Sequence, residues 1–413
     1  MKIILGFLIL YLIMPYFGLW TFTNHQLNLY GNIDNCLIRS YSIHLVIIFS
    51  IIFLIIFLTN TKKKYLHNED IKPNKINSVL NKSIIFLIIS LFFQLFVFGG
   101  LDILLGNTGR GEFRTTLGFL GFLYNFFTMF LPAGIIIISS IFFKVSDKRI
   151  FFRVKIYIIF FLGLLIGILT GFKFTAILIL SGGLVQLSDS LKIKYLFIIA
   201  IFFLFLMSFS AYYFMDLDPE TALNYIFARA TSVALEGTVG VWNLFPNGGT
   251  DSWMALLYAF GNKLSSLITG YSTTDIEFLK INITRLIGYL TYPKHEEALS
   301  GAFNLTVTNF GEGVYYFGKY YYFIFSIITG TILGFTIRYY FKTIQNNKIL
   351  KNTMINVYMM TVLFPWLMGG VIGNLFGIPT IIYMLLLYII LKIIISNIIF
   401  KKRNFNENTI YNR

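Results

Sequence analysis

One cysteine, Cys36, serves all 413 residues, so no intramolecular disulfide can form. Histidine is also scarce, at four residues, and no Cys/His cluster has metal-ligand spacing. There is no P-loop or other phosphate-cradling glycine-rich pattern, and no internal repeat. Asp102, Asp251 and Glu312 could meet in space, but their spacing does not suggest a metal site, and neither metal nor cofactor is expected. The largest deficit is charge. Asp, Glu, Lys and Arg make up 12% of the chain, about half the ~25% of a soluble domain.

Apolar residues fill the gap. The chain is 57% hydrophobic, with a mean hydropathy of +0.75. Runs of Ile, Leu and Phe, each long enough for the roughly 20 residues that cross the hydrocarbon core, lie near 2–20, 41–58, 84–105, 117–143, 154–170, 173–188, 195–215, 320–341, 353–373 and 376–400. They are continuously apolar, whereas barrel strands alternate, so they read as helices. The expected fold is an all-α polytopic membrane protein with about ten transmembrane helices. Spans one to seven occupy 1–215, a long, partly helical loop 216–319, spans eight to ten 320–400, and a tail 401–413. Met1-Lys2 open an apolar run with no small-x-small cleavage pattern behind it, which reads as a retained signal anchor, with Pro15 as a kink point.

The loops alternate in basic content. Residues 59–83, 144–155, 189–194, 342–352 and 401–413 hold most of the Lys and Arg and all fall on one side of a ten-span layout, which the positive-inside rule makes cytoplasmic. That side carries 23 of the 33 basic residues and five of the 18 acidic ones, a net +18. The other side holds the remaining −3 of the overall +15. The basic balance is therefore a topology signal. A nucleic-acid partner would need a basic face on a folded domain, and none is evident. Both termini are expected to be cytoplasmic and the long loop exoplasmic.

Four constellations on the outer side could carry chemistry. Arg110, Glu112 and Arg114 share a short loop, where two arginines four residues apart suit bidentate phosphate recognition; a solvated Arg–Glu pair is the alternative. Lys173 sits at a break between two short apolar stretches, either as a functional cation or snorkelling to the interface. Asp218-Pro219-Glu220 reads as a helix start, and in the helix that follows, about 219–235, Arg229 interrupts an apolar stripe. Residues 285–319 bring Arg285, His295 and the glycine-flanked Glu312. His295 could act as a general base, as a donor or as a solvated residue. The tyrosines 315, 316 and 320–322 read mainly as an interface belt.

Three short patterns then suggest a family: Arg-Gly-Glu-Phe-Arg at 110–114, Thr-Gly-x-Lys at 170–173, and Asn-Phe-Gly-Glu-Gly with Phe-Gly at 309–318. With the ten-span layout and the long loop before span eight, the chain resembles the O-antigen polymerases (Wzy) and related oligosaccharide repeat-unit polymerases. Relatives often carry Arg where this chain has Lys173, which keeps the charge and loses the bidentate fork. The resemblance implies a glycosyltransferase of lipopolysaccharide biosynthesis in the bacterial inner membrane. Its substrates would be undecaprenyl-diphosphate-linked oligosaccharides, with a chain-length regulator and a flippase as partners in the bilayer. It implies diphosphate contacts from Arg110, Arg114, Lys173, Arg229 and Arg285, and a base among Glu312, His295 and Glu112. An O-antigen ligase has the same layout and leaving group. A lipid-linked oligosaccharide flippase would instead show more spans and charges within them, and a structural or assembly membrane protein is the fourth reading.

Overall fold

The structure, a computed structural model, describes residues 2–22, 33–58, 73–104, 117, 120–145, 150–170, 173–187, 233–301, 303–345, 349–369 and 371–396, with single positions between 201 and 231. Among these residues all regular structure is helical. Helix α1 comprises Lys2–Leu8, a π-helical turn Ile9–Ile13 and Met14–Phe22. It is followed by α2 (Asn35–Phe57), then α3 (Pro73–Phe92, extended by a π turn Phe93–Val97). Helix α4 comprises Leu120–Asn125, a π turn Phe126–Phe130 and Leu131–Val145; α5 (Ile150–Leu169) and α6 (Lys173–Leu187) come next.

Six helices among the described residues are long and apolar enough to cross a bilayer: Asn35–Phe57, Asn74–Val97, Leu120–Phe143, Ile150–Leu169, Asn309–Ile344 and Ile378–Ile395. At 1.5 Å per residue a 23-residue helix reaches about 35 Å, more than the ~30 Å hydrocarbon core. The expected spans at 2–20 and 173–188 appear as the shorter apolar helices Ile4–Leu19 and Thr175–Leu187. The one at 195–215 lies mostly outside the described residues. The one at 353–373 is broken. Its helix, α12, runs Ile349–Tyr358, through a π turn Met359–Leu363, to Phe364–Gly369. The chain then doubles back, so that Tyr358 Oη donates to the Leu375 carbonyl at 3.2 Å.

Prolines explain three of the π turns. Pro15, Pro132 and Pro365 each follow the last residue of a π turn by two positions. Proline offers no N–H and crowds the carbonyl four residues back. In each case the residue before it donates to a carbonyl five back instead: Met14 to Ile9, Leu131 to Phe126 and Phe364 to Met359. The extra residue relieves the clash without ending the helix.

Between 233 and 308 the chain forms short elements only: α7 (Val233–Leu244), a 3-10 helix Ser252–Phe260, α8 (Asn262–Thr269), a 3-10 turn Glu277–Ile281, α9 (Ile283–Thr291) and α10 (His295–Ser300). Next comes α11 (Asn309–Gln345), two helical limbs meeting at Gly318, whose φ of 73° and ψ of 178° leave helical space. The limbs fold back on each other, so that Thr329 Oγ1 donates to Asn309 Oδ1 and the Phe310 ring packs on Tyr322. After α12, a single turn, α13 (Gly373–Phe376), leads into α14 (Ile378–Ile395).

Helix α2 and the limb of α11 after Gly318 run parallel along a close seam. A Cβ on Gly330 would lie 3.2 Å from Ile48 Cα, and one on Gly334 2.7 Å from Ile55 Cδ1, so two glycines four apart let the backbones approach. Inside that seam the buried His44 Nδ1 lies 2.8 Å from Ser326 Oγ, and Thr329 Oγ1 donates to Asn309 Oδ1 at 2.9 Å. Lys82 Nζ on α3 reaches the Ile393 carbonyl at 3.0 Å, so α3 is antiparallel to α14. Lys155 on α5 bonds Asn77 and Asn81 on α3, and Gln94 bonds the Leu169 carbonyl, so α5 is parallel to α3.

The segment 233–308 packs on the end of the bundle where α2, α11 and α14 begin. Trp242 Nε1 contacts Asp34 Oδ2, the cap of α2, at 3.4 Å. Gly249 N donates to the Tyr315 carbonyl at 2.8 Å, and Lys319 N to the Pro246 carbonyl at 2.8 Å.

Candidate functional site

Glu312 stands where α7, α11 and the broken end of α12 meet. It lies in the first turn of α11 and has no solvent exposure. Its Oε2 accepts from Trp366 Nε1 at 2.8 Å and its Oε1 from the Ile372 backbone N at 2.6 Å. Ile372 is the residue that opens α13, so the carboxylate satisfies a backbone donor that the break in α12 leaves without a helical partner. Among the described residues no cation forms an ion pair with Glu312.

The glycines beside Glu312 permit close packing. A Cβ on Gly311 would sit 2.8 Å from Val307 Cγ1 and 3.1 Å from Thr238 Oγ1, and one on Gly313 3.0 Å from Phe325 Cβ. Neither has a positive φ; the one left-handed glycine of the stretch is Gly318. Thr308 ties three elements together. Its N donates to Thr238 Oγ1 at 2.8 Å, the two hydroxyls lie 2.9 Å apart, and Tyr41 bonds its side chain. Phe310 packs its ring against Tyr41, His44, Trp242 and Tyr322. Three buried polar atoms near this junction, Asn309 Nδ2 and the hydroxyls of Tyr315 and Tyr316, have no hydrogen-bond partner among the described residues.

Arg285 occupies a second buried position, 6% exposed, on α9. Asn282 caps that helix, its Oδ1 accepting from Thr284 N at 3.1 Å. The guanidinium donates through Nε to the Ala298 carbonyl at 2.9 Å and through Nη2 to the Leu299 carbonyl. These carbonyls end α10, and Gly301 behind them has a φ of 85°. Arg285 thus closes the C-terminus of α10, as a cation near the negative end of a helix can. Burial lowers its pKa from the ordinary value.

His295 opens α10, exposed, with its ring centroid 4.6 Å from that of Tyr289. Glu296 and Glu297 follow in the first turn, where the helix dipole favours acids. Lys294 pairs with Glu297 at 3.4 Å and covers the Phe303 ring at 5.3 Å. Asp218 is a cap, as its sequence suggests: Oδ1 accepts from Thr221 N at 3.0 Å.

Of the expected site residues, Arg285 and His295 stand on the packed helices α9 and α10, Arg285 against the end of α10 and His295 against Tyr289. Glu312 lies in the first turn of α11, bonded to Trp366 and the Ile372 amide. Arg110, Glu112, Arg114 and Arg229 lie outside the described residues. Lys173 begins α6, and of it only the backbone is described. The tyrosines divide: Tyr320 and Tyr321 are exposed, whereas Tyr315 and Tyr322 are buried.

The sequence reading missed Trp366, the Ile372 amide and Thr238. The signal for Trp366 was present but faint: a tryptophan inside an apolar run, one residue after a proline. Among the described residues no group of three or more His, Cys, Asp or Glu could hold a metal. No known protein family, curated protein or solved structure matches this chain.

Proposed function

We propose that this protein is a glycosyltransferase, a polymerase that joins undecaprenyl-diphosphate-linked oligosaccharide repeat units on the periplasmic face of the bacterial inner membrane. In this reading the chain crosses about ten times with both termini cytoplasmic. The bond from sugar C1 to the diphosphate oxygen breaks as a bond to an acceptor hydroxyl forms. The hydroxyl proton passes to a base and undecaprenyl diphosphate departs.

The observation that carries the reading is the docking of a polar, ionisable segment, 233–308, across one end of an apolar helix bundle. Lys82, Lys155 and Lys392 gather towards the other end, in keeping with a cytoplasmic face there. A reaction between lipid-anchored donors and water-borne sugars needs this kind of boundary. Arg110, Arg114, Lys173 and Arg229 are the cations proposed for the leaving diphosphate, with Arg285 beside them once α10 yields its carbonyls. His295 is the better placed base of the described candidates, because it is exposed while both oxygens of Glu312 are engaged.

The test is reconstitution. The purified protein in liposomes, given lipid-linked repeat units and no ion gradient, should yield a polymer ladder and free undecaprenyl diphosphate. A double substitution, Arg110→Ala with Arg114→Ala, should abolish the ladder while leaving the protein folded. Transfer only to a lipid A core acceptor would replace the polymerase by a ligase. Movement of the substrate across the bilayer with no new glycosidic bond would make it a transporter.

A further inference from the structure

Helix α8 is inside out. Its Leu264, Leu267 and Ile268 follow the i, i+3, i+4 spacing of one helix face, yet all are exposed, Leu267 at 80%. The inward side carries hydroxyls. Ser265 is fully buried, its Oγ donates to the Leu257 carbonyl at 2.6 Å, and Thr269 Oγ1 donates to the Ser265 carbonyl at 2.9 Å. A surface helix in water shows the opposite arrangement. The preceding 3-10 helix continues the exposed face with Trp253, Leu256 and Phe260.

What this face meets follows from where it is attached. The 3-10 helix presses on the start of α14: a Cβ on Gly373 would lie 2.8 Å from Ala259 N, and one on Gly377 3.4 Å from Ala259 O. At that place Phe376 is 60% exposed, and along α14 Ile381 and Leu385 point outward, the side a spanning helix turns to lipid. The exposed face of 252–269 is therefore joined by backbone contact to the lipid-facing side of a span, at the span's end. Tryptophan is enriched at that depth, and a single cation at the rim, the exposed Lys263, suits lipid phosphates.

We propose that Ser252–Thr269 is a lipid-binding shelf, lying in the headgroup–acyl boundary of the leaflet at the α14 N-terminus. It holds segment 233–308 against the membrane. This rests on α14 crossing the bilayer and is independent of the polymerase reading.

Depth-resolved quenching tests it in the full chain. In a Cys36→Ser background, Leu267→Cys is labelled with an environment-sensitive fluorophore in phosphatidylcholine–phosphatidylglycerol nanodiscs. Lipids bearing a nitroxide high on the acyl chain should quench this label several-fold more than aqueous iodide does. A label at Glu297→Cys, on the exposed side of α10, should show the reverse order. Should Leu267→Cys fail to purify, Leu264→Cys reads the same face. Iodide quenching of the shelf label equal to that at Glu297→Cys would overturn the proposal. So would protection from both quenchers together with cross-linking between two copies, which would assign the face to a protein contact. The measurement needs no polymerisation, so its failure leaves the reconstitution result untouched.

Discussion

Glu312 and Arg285 are two buried ionisable side chains, one acidic and one basic, and neither forms an ion pair with another side chain among the described residues. Each is settled by backbone. Glu312 accepts an N–H where α13 begins, and Arg285 donates to two carbonyls where α10 ends. The carboxyl sits at the start of a helical turn and the guanidinium at the C-terminal end of a helix. A buried ionisable side chain can thus satisfy the end of a helix from elsewhere in the chain. A charge in an apolar sequence is therefore not by itself evidence of a substrate contact, and the two sites can be separated by what breaks when each is removed.

The largest effect is expected at Glu312. Glu312→Ala leaves the Trp366 indole N–H and the Ile372 amide buried without an acceptor, and each orphaned donor costs about 1–3 kcal/mol. A loss of about 2–5 kcal/mol should appear as a lower thermal unfolding midpoint in detergent, with any loss of activity following the loss of folded protein. A Glu312→Ala protein as stable as the wild type yet inactive would move Glu312 from helix termination to chemistry. Arg285→Ala should cost less, about 2–3 kcal/mol, for two carbonyls left without a donor. Because α10 lies at the edge of the segment, the loss should be local. Amide exchange at residues 298–301 should accelerate while α11 stays protected. Unchanged exchange there with a lost polymer ladder would assign Arg285 to the diphosphate and end its likeness to Glu312. Trp366→Phe keeps the ring and removes one donor from Glu312. It should cost about 1–2 kcal/mol, less than Glu312→Ala, because the Ile372 bond remains.

The helical class and the six helices long and apolar enough to cross a bilayer were legible because a bilayer demands long apolar runs, and few other folds supply them. Glu312 stood out through its two glycines. Its partners did not, since Trp366 and Ile372 lie 54 and 60 residues further along the chain and no local pattern connects them. Span 353–373 looked continuous because Gly369 and Gly370 interrupt hydropathy too little to register, although the helix ends at Gly369. The Ala298 and Leu299 carbonyls that Arg285 meets were not legible either, because a cation advertises its charge and not the backbone group it will meet. The inverted face of α8 was illegible for the plainest reason. Leucines at i and i+3 with isoleucine at i+4 give the same pattern whether they face a core or lipid.

Lys280 provides the smallest effect and the contrast that completes the comparison. It lies near the surface and does have countercharges, Glu277 at 2.6 Å and Asp251 at 3.3 Å. The hydrogen bond to Glu277 is the main reason its pKa is raised above the ordinary lysine value, with the bond to Asp251 adding to it. A raised pKa means that the folded state holds this proton more tightly than the unfolded one. The stabilisation is therefore complete below the unfolded pKa of about 10.4 and disappears as the pH climbs through the folded value. Exposed pairs of this kind are worth about 0.2–1 kcal/mol, screened by salt. Lys280→Met should therefore lower stability by less than about 1 kcal/mol at pH 8 in low salt, and the gap from wild type should close at high salt and again as the pH rises beyond the folded-state pKa. A gap that neither high salt nor that rise in pH closes would show that the difference does not come from the ion pairs of Lys280. Its charge would then matter no more to the fold than a methyl group in the same place.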